Sequence, residues 1–356
     1  MDITPLVRKE VAALKAYGVE DFSGIRVKLD AMENPYPLPD ALRAELAREL
    51  SRVLVNRYPD PEARALKGEL SKWLGVPAEN LLLGNGSDEI IGMIISAFGG
   101  SPGLMAYPVP TFSMYGIIAR GMGQETLELP LTADFDIDFD ASLRLINERR
   151  PKALFIAYPN NPTGNLYGRD KVRRLIAGTW GIVVVDEAYN SFSGESFIEE
   201  IGSFPNLVVL RTLSKIGMAG LRVGIMAAGT DILEQVNKVR LPYNINNLSQ
   251  AAAEVILRHK DVIDAQVALI VRERERLFAS LNEVPGVAAY PSKTNFILFR
   301  VNGATGIFEG LKERGILIRN MDSPGPLKDC LRVTIGTPEE NREFLQTLKD
   351  LLPKEA

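Results

Sequence analysis

The chain has 356 residues, with 41 Lys and Arg against 45 Asp and Glu for a net charge of −4, and 46% of it is hydrophobic. That is about two domains' worth of chain at ~150 residues each, and without a basic surplus neither nucleic acid nor an anionic membrane is an expected partner. The N-terminus alternates charges, and the longest apolar stretch, around Ile90 to Phe98, falls far short of the ~20 residues that span a bilayer, so the expected location is cytoplasmic. The single Cys330 allows no intrachain disulfide and no cysteine-cluster metal site; it reads as a small buried hydrophobe, and no metal is expected.

In chain order, Leu6, Val7, Val11 and Leu14 stand at helical spacing and predict an amphipathic arm ending near Tyr17-Gly18, with Tyr17 as a packing aromatic. Glu33-Asn34-Pro35-Tyr36-Pro37 cannot be a helix interior and reads as a loop or edge strand. Helices are expected from Asp40 to Leu54 and from Pro61 to Leu74, on either side of a polar turn that presents Tyr58. Leu81 to Leu83 reads as a strand, after which Gly84-Asn85-Gly86-Ser87-Asp88-Glu89 opens a helix to Phe98. Glycines ahead of a helix N-terminus put free N–H groups and the positive dipole end at one spot, which suits a phosphate at Gly86, Ser87 and Asp88; many such turns only connect a strand to a helix.

Leu104 to Tyr107 is the next strand, with a helix from near Phe112, and Ala153 to Ala157 is another. The latter ends in the turn Tyr158-Pro159-Asn160-Asn161-Pro162-Thr163-Gly164, where Asn161 bonds its own turn or faces a ligand. Gly181 to Val185 reads as a fully buried strand, followed at once by Asp186-Glu187-Ala188-Tyr189. The aspartate there is either a helix cap or a charge placed at the strand's end. Leu207 to Leu210 delivers Lys215 to the carboxyl end of a sheet, where open α/β sheets bind ligands. Thr212, Ser214 and Arg222 surround that lysine with two hydroxyls and a guanidinium, and Gly217 and Gly220 permit close backbone approach. Lys215 is therefore a phosphate counter-ion or the anchor of a cofactor.

A helix from Asp231 to Arg240 is broken by Leu241-Pro242-Tyr243-Asn244, and a long helical region runs from Ser249 through Leu281. Its Glu-Arg repeats at 272 to 276 read as a solvated face, and the lone His259 as exposed. Strands at Asn295 to Arg300, Ile316 to Arg319 and Leu331 to Ile335 alternate with helices at Ala304 to Glu313 and Thr337 to Leu352. Arg332 alternates with Leu331 and Val333 and so points to the face opposite theirs. The expected architecture is α/β: residues 1–45 form an arm and part of a small domain, 46–245 a large domain on a mostly parallel sheet covered by helices, and 246–356 a small α+β domain.

An amine, a phosphate cup, a carboxylate and a phenol are the parts a pyridoxal phosphate site needs. Lys28 to Tyr36, Asn56 to Asp60, Gly84 to Glu89, Tyr158 to Gly164, Asp186 to Tyr189, Thr212 to Lys215, Gly220 to Arg222 and Leu331 to Gly336 together resemble the fold-type I, pyridoxal-phosphate-dependent aminotransferases of the class II subgroup, and specifically the histidinol-phosphate aminotransferases, over nearly the whole chain. The resemblance implies a homodimer with shared active sites. It also implies transamination between glutamate and imidazole-acetol phosphate, giving histidinol phosphate and 2-oxoglutarate in histidine biosynthesis. In that reading Lys215 binds the cofactor and carries the proton, Asp186 faces the ring nitrogen, and Tyr189 and Asn161 face the ring oxygen. Phe112, where relatives commonly have tyrosine, stacks on the ring. Tyr58 crosses to the neighbour's cofactor phosphate, and Tyr17, Asn34, Arg319 and Arg332 meet the substrate. The alternatives are a broad or aromatic aminotransferase, a phosphothreonine decarboxylase of the same fold, and a non-catalytic regulator, which would normally carry a basic DNA-binding extension that this sequence does not display.

Overall fold

The computed structural model describes residues 1–16, 18 and 23–352. Among these the largest sheet has seven strands, in the spatial order Leu81–Asn85, Val223–Ala228, Leu207–Thr212, Ile182–Asp186, Ala153–Ala157, Leu104–Val109, Glu125–Pro130. Val223–Ala228 runs against both its neighbours, and the other neighbouring pairs are parallel. The β-branched central strands are buried on both faces: Val183, Val185 and Val209 join one apolar cluster and Val184, Val208 and Leu210 the other. One cluster includes the helices Ser87–Phe98 and Met114–Gly121, the other Phe139–Arg149 and Arg169–Gly178, so the sheet is helix-covered on both sides.

The register aligns Ala157 with Asp186 and Asp186 with Leu210. The three segments that follow these residues, led by Tyr158, Glu187 and Arg211, therefore leave the sheet along one edge.

A second, antiparallel sheet has the order Arg319–Asn320, Cys330–Thr334, Phe296–Val301, Val287–Ala289, and Val27–Lys28 pairs in parallel with Ile316–Leu317. The expected strand Ile316 to Arg319 is in fact two, because the chain changes partner at Ile318. The last helix, Pro338–Leu351, starts one residue after Thr337, which caps it reciprocally with Glu340.

Other expectations need correction. The N-terminal helix reduces to a 3-10 turn, Thr4–Leu6, and a single helical turn, Lys9–Ala12, with Leu6, Val7 and Val11 exposed and Leu14 half-buried against Gly121, whose carbonyl accepts from Arg8; so short a helix does not persist alone. The helix expected from Pro61 starts at Arg64, since Asp60 accepts the N–H groups of Glu62 and Arg64 and caps that point. Asn246, not Ser249, begins the next helical region, and its side chain accepts the Ser249 N–H. That region is two helices, Asn247–Leu257 and Lys260–Asn282, and His259 at the break is half-buried, 2.9 Å from Glu45. The 272–276 segment is a solvated face only in part: Arg272, Glu275 and Arg276 are exposed, but Glu273 and Arg274 are buried. Arg274 donates to the carbonyls of Phe192 and Thr294 at 3.3 and 3.1 Å, fastening the long helix to both halves of the molecule. Cys330 is fully buried, as expected of a small hydrophobe.

Candidate active site

A cavity opens at the carboxyl edge of the large sheet, where its three central strands end together. Lys215 lies in a single 3-10 turn, Ser214–Ile216, just past Leu207–Thr212, and its Nζ donates to the Ala31 carbonyl at 3.2 Å. Burial, and next the Arg332 cation, push its pKa down to about 8. Asp186 ends its strand with its carboxylate in the same cavity, where burial pushes its pKa up to about 6. Glu187, on the opposite face, anchors the strand end: it is buried and accepts from Ser196 Oγ, the Phe197 N–H and Arg211 Nε.

Asn161, from the neighbouring strand's turn, donates Nδ2 to the Tyr189 hydroxyl at 3.1 Å and accepts from Arg332 Nη1 at 2.5 Å. Arg332 also donates to the Asp30 carbonyl at 3.0 Å, so the small sheet reaches the large one through this pair. Arg319 stands directly opposite Arg332 in the antiparallel register, which puts two guanidinium groups on one face. Phe112 lines the cavity, and Ala188, which the sequence reading passed over, lines it as well.

Below Lys215, Thr212 and Ser214 are buried and bonded to each other at 3.0 Å, with Ser87 and Asp88 from the glycine turn lining the same space. The guanidinium of Arg222 lies against Gly86: a Cβ there would stand 2.5 Å from Arg222 Nη2, and φ at Gly86 is +82°. Only glycine serves at that position. Asp88 is 3.8 Å from Arg222, and burial pushes its carboxyl upward, toward the neutral form. Asn34 sits over Gly217, held by donation to Gln266 Oε1 at 2.8 Å and by the Tyr36 N–H.

One functional side chain has no counterpart in any motif. Tyr115 is wholly buried, stacks on Phe155, and donates its hydroxyl to Asp186 Oδ2 at 2.7 Å. Burial pushes the phenol's own pKa well above its usual range, so it stays a donor.

Of the described residues singled out from the sequence, Tyr58, Gly86, Asn34, Arg319 and Arg332 do not line the cavity itself. Tyr58 is 81% exposed on its turn and stacks on Tyr243 with 4.5 Å between ring centroids. Tyr17 lies outside the described residues.

The donor set fits pyridoxal phosphate. The hydroxyls of Thr212 and Ser214, the Ser87 end of a helix and the Arg222 fork converge on an anion site, Lys215 is beside it, and Asp186 and Tyr189 face the same space.

The profile of the family described as aminotransferase class I and II matches residues 25–348. The chain is 47% identical over 348 residues to histidinol-phosphate aminotransferase 2 of Nitrosococcus oceani, covering 96% of each. The crystal structure of histidinol-phosphate aminotransferase from Sinorhizobium meliloti in complex with pyridoxal-5'-phosphate superposes with a TM-score of 0.89 over 97% of both chains, and at 23% identity that likeness is one of fold. L-threonine-O-3-phosphate decarboxylase from Porphyromonas gingivalis superposes with a TM-score of 0.77 at 26% identity, over 92% of this chain and 100% of that one.

Proposed function

The chain belongs to the class I and II aminotransferases, and from that premise we propose that it transfers an amino group from glutamate to imidazole-acetol phosphate. The products are 2-oxoglutarate and histidinol phosphate, as a step of histidine biosynthesis. The observation that carries this reading is Lys215 beside a phosphate cup, in a cavity that Arg332, facing Arg319 across its strand pair, reaches through Asn161.

Bound pyridoxal phosphate supplies an aldehyde that takes up amines and a ring that accepts electrons from a substrate carbon. Ser87, Thr212, Ser214 and Arg222 hold its phosphate, and Lys215 holds its aldehyde carbon. Asp186, ionised above pH ~6, keeps a proton on the ring nitrogen. Tyr189 and Asn161 donate toward the ring oxygen. Phe112 covers one ring face and excludes water there. Lys215 Nζ would take the proton from the substrate Cα, and a pKa of about 8 suits it to accept and release a proton near neutral pH.

Tyr115 acts through Asp186. Its hydrogen bond stabilises the carboxylate and so lowers the pKa that burial raises. In Tyr115→Phe that pKa should rise further, and cofactor affinity should fall about tenfold and be lost at a higher pH on acidification. Cofactor dissociation constants measured from pH 5 to 8 check this; an unmoved acid limb would count against the role.

Arg319 and Arg332 select the phosphorylated substrate. A phosphate can take bonds from both, whereas a carboxylate needs one. Arg319→Gln should weaken the histidinol phosphate half-reaction by about ten- to a hundredfold in kcat/KM and the glutamate half-reaction less, while Arg332→Gln damages both. Single-turnover rates of each half-reaction test it, and equal losses in Arg319→Gln would remove Arg319 from the role. That selectivity also separates the reading from a broad aromatic aminotransferase. A threonine-phosphate decarboxylase would release carbon dioxide with no need for 2-oxoglutarate.

The working unit in this reading is a homodimer. Leu54, Val55 and Tyr58 and, beside them, Leu241, Tyr243 and Leu248 are exposed apolar residues on two segments that Asn247 joins by donating to the Leu54 and Arg57 carbonyls. A second copy would cover them and bring Tyr58 to its neighbour's phosphate. Mixing Tyr58→Phe chains with Lys215→Ala chains should then give hybrids with one intact site. Activity should exceed the sum of the two parents and approach about a quarter of native. A fully active monomer would contradict shared sites.

A further inference from the structure

We propose that Glu89 is a positioning residue that couples the cofactor's phosphate turn to the subunit surface. This rests on the dimer and cofactor readings above and names a link that neither requires. The motif Gly84 to Glu89 places Glu89 in the first turn of the helix Ser87–Phe98, where its carboxylate could simply oppose the helix dipole. The contacts are more specific than that. Glu89 Oε2 accepts the Asn85 N–H at 2.6 Å, inside the turn that offers its backbone to the phosphate, and also accepts Asn244 Nδ2 at 2.8 Å. The same Asn244 amide donates to the Leu83 carbonyl at 3.1 Å, just before the turn.

Asn244 belongs to the surface segment. It follows Tyr243, whose φ of +61° is rare for an aromatic residue and persists only where its surroundings hold it. Tyr243 stacks on Tyr58. Arg240 ties the base of this segment to the chain just after Tyr58, donating to the Pro61 carbonyl at 2.8 Å and to Glu62 Oε1 at 2.7 Å. The two surface segments thus form one unit, and one carboxylate oxygen joins that unit to the phosphate turn.

The turn itself has little freedom to move independently. A Cβ at Gly84 would meet Ile90 at 2.4 Å, and one at Gly224 would meet the Gly86 backbone at 2.4 Å. Backbone this closely packed shifts only with its neighbours. Ordering the turn by a bound phosphate therefore orders the Tyr58–Tyr243 surface, and covering that surface with a second copy preorganises the turn. The effect is reciprocal, as any coupling between two binding events must be.

The test is the dimer dissociation constant of the full chain, measured by sedimentation over a dilution series with and without saturating pyridoxal phosphate. It is made in a Tyr58→Phe background, which removes the hydroxyl expected to reach the neighbour's phosphate while keeping the stacked ring. The cofactor should tighten the dimer by about fivefold or more. Adding Asn244→Ala should bring that ratio to about one while both dimer and cofactor binding persist, and Glu89→Ala should do the same with weaker cofactor binding. Glu89→Gln should restore the ratio, because an amide oxygen can accept both hydrogen bonds; it also serves where the alanine variant fails to fold. A ratio of one in Tyr58→Phe alone, or a ratio that Asn244→Ala leaves unchanged, overturns the proposal. Absence of a dimer or of cofactor binding in the native chain overturns the reading beneath it, and this coupling with it.

Discussion

Replacing Lys215 by alanine should lower transamination by at least about 10⁴-fold, the upper end of what one positioned proton-transfer group contributes, because in the proposed function this residue both anchors the cofactor and moves the proton. Its replacement leaves Thr212, Ser214, Ser87 and Arg222 in place, so some pyridoxal phosphate should still bind through its phosphate. Near-native activity in Lys215→Ala would refute the assignment of the anchor. The chemistry depends on the amine being neutral. With a pKa of about 8, roughly one molecule in ten carries it neutral at pH 7, against about one in 3,000 at the ordinary lysine value. Attachment of the cofactor should therefore accelerate as pH rises through about 8 and level off above it. Since the Arg332 cation is the second cause of that depression, Arg332→Gln should move the inflection upward.

Asp186→Asn should cost about 10²- to 10³-fold in kcat, the range found when one preorganised electrostatic stabiliser is removed. The amide keeps the size of the side chain and a partner for Tyr115, but it has no charge with which to hold a proton on the ring nitrogen. Binding should suffer less than turnover, since the phosphate contacts are untouched. A variant with native kcat and weak binding would make Asp186 a tether and nothing more.

The seven-stranded sheet was legible in the sequence where strands are buried on both faces. Val183, Val184 and Val185 form an unbroken apolar run because water reaches neither side, and the first charged residue after the run, Asp186, marks the strand's end. Lys215 and Asn161 were visible for the same reason, each in the segment that leaves a buried strand. Tyr115 was not. Its chemistry lies in a tertiary contact with a strand 71 positions away, and a buried tyrosine inside a helix carries no local sign of what its hydroxyl meets. Arg274 was misread because a charge in a helix reads as solvated until two carbonyls from elsewhere in the chain surround it. The N-terminal arm erred in the other direction: its periodicity is real, but helices of this length are held by the surface they cover, and Leu6, Val7 and Val11 stay exposed.

The pairing of Arg319 with Arg332 shows the same limit from another side. Arg332 could be found from its motif and Arg319 from the family resemblance, yet their convergence on one face follows only from the register of two short strands, one of which is just Arg319–Asn320. In the proposed function substrate choice rests on that register, and it can be measured directly. Steady-state kcat/KM for histidinol phosphate and for phenylalanine, with 2-oxoglutarate as the common acceptor, should favour histidinol phosphate by at least about tenfold, the lower bound for one additional charged hydrogen bond. Equal or greater efficiency with phenylalanine would contradict the proposed function while leaving the family and the cofactor in place.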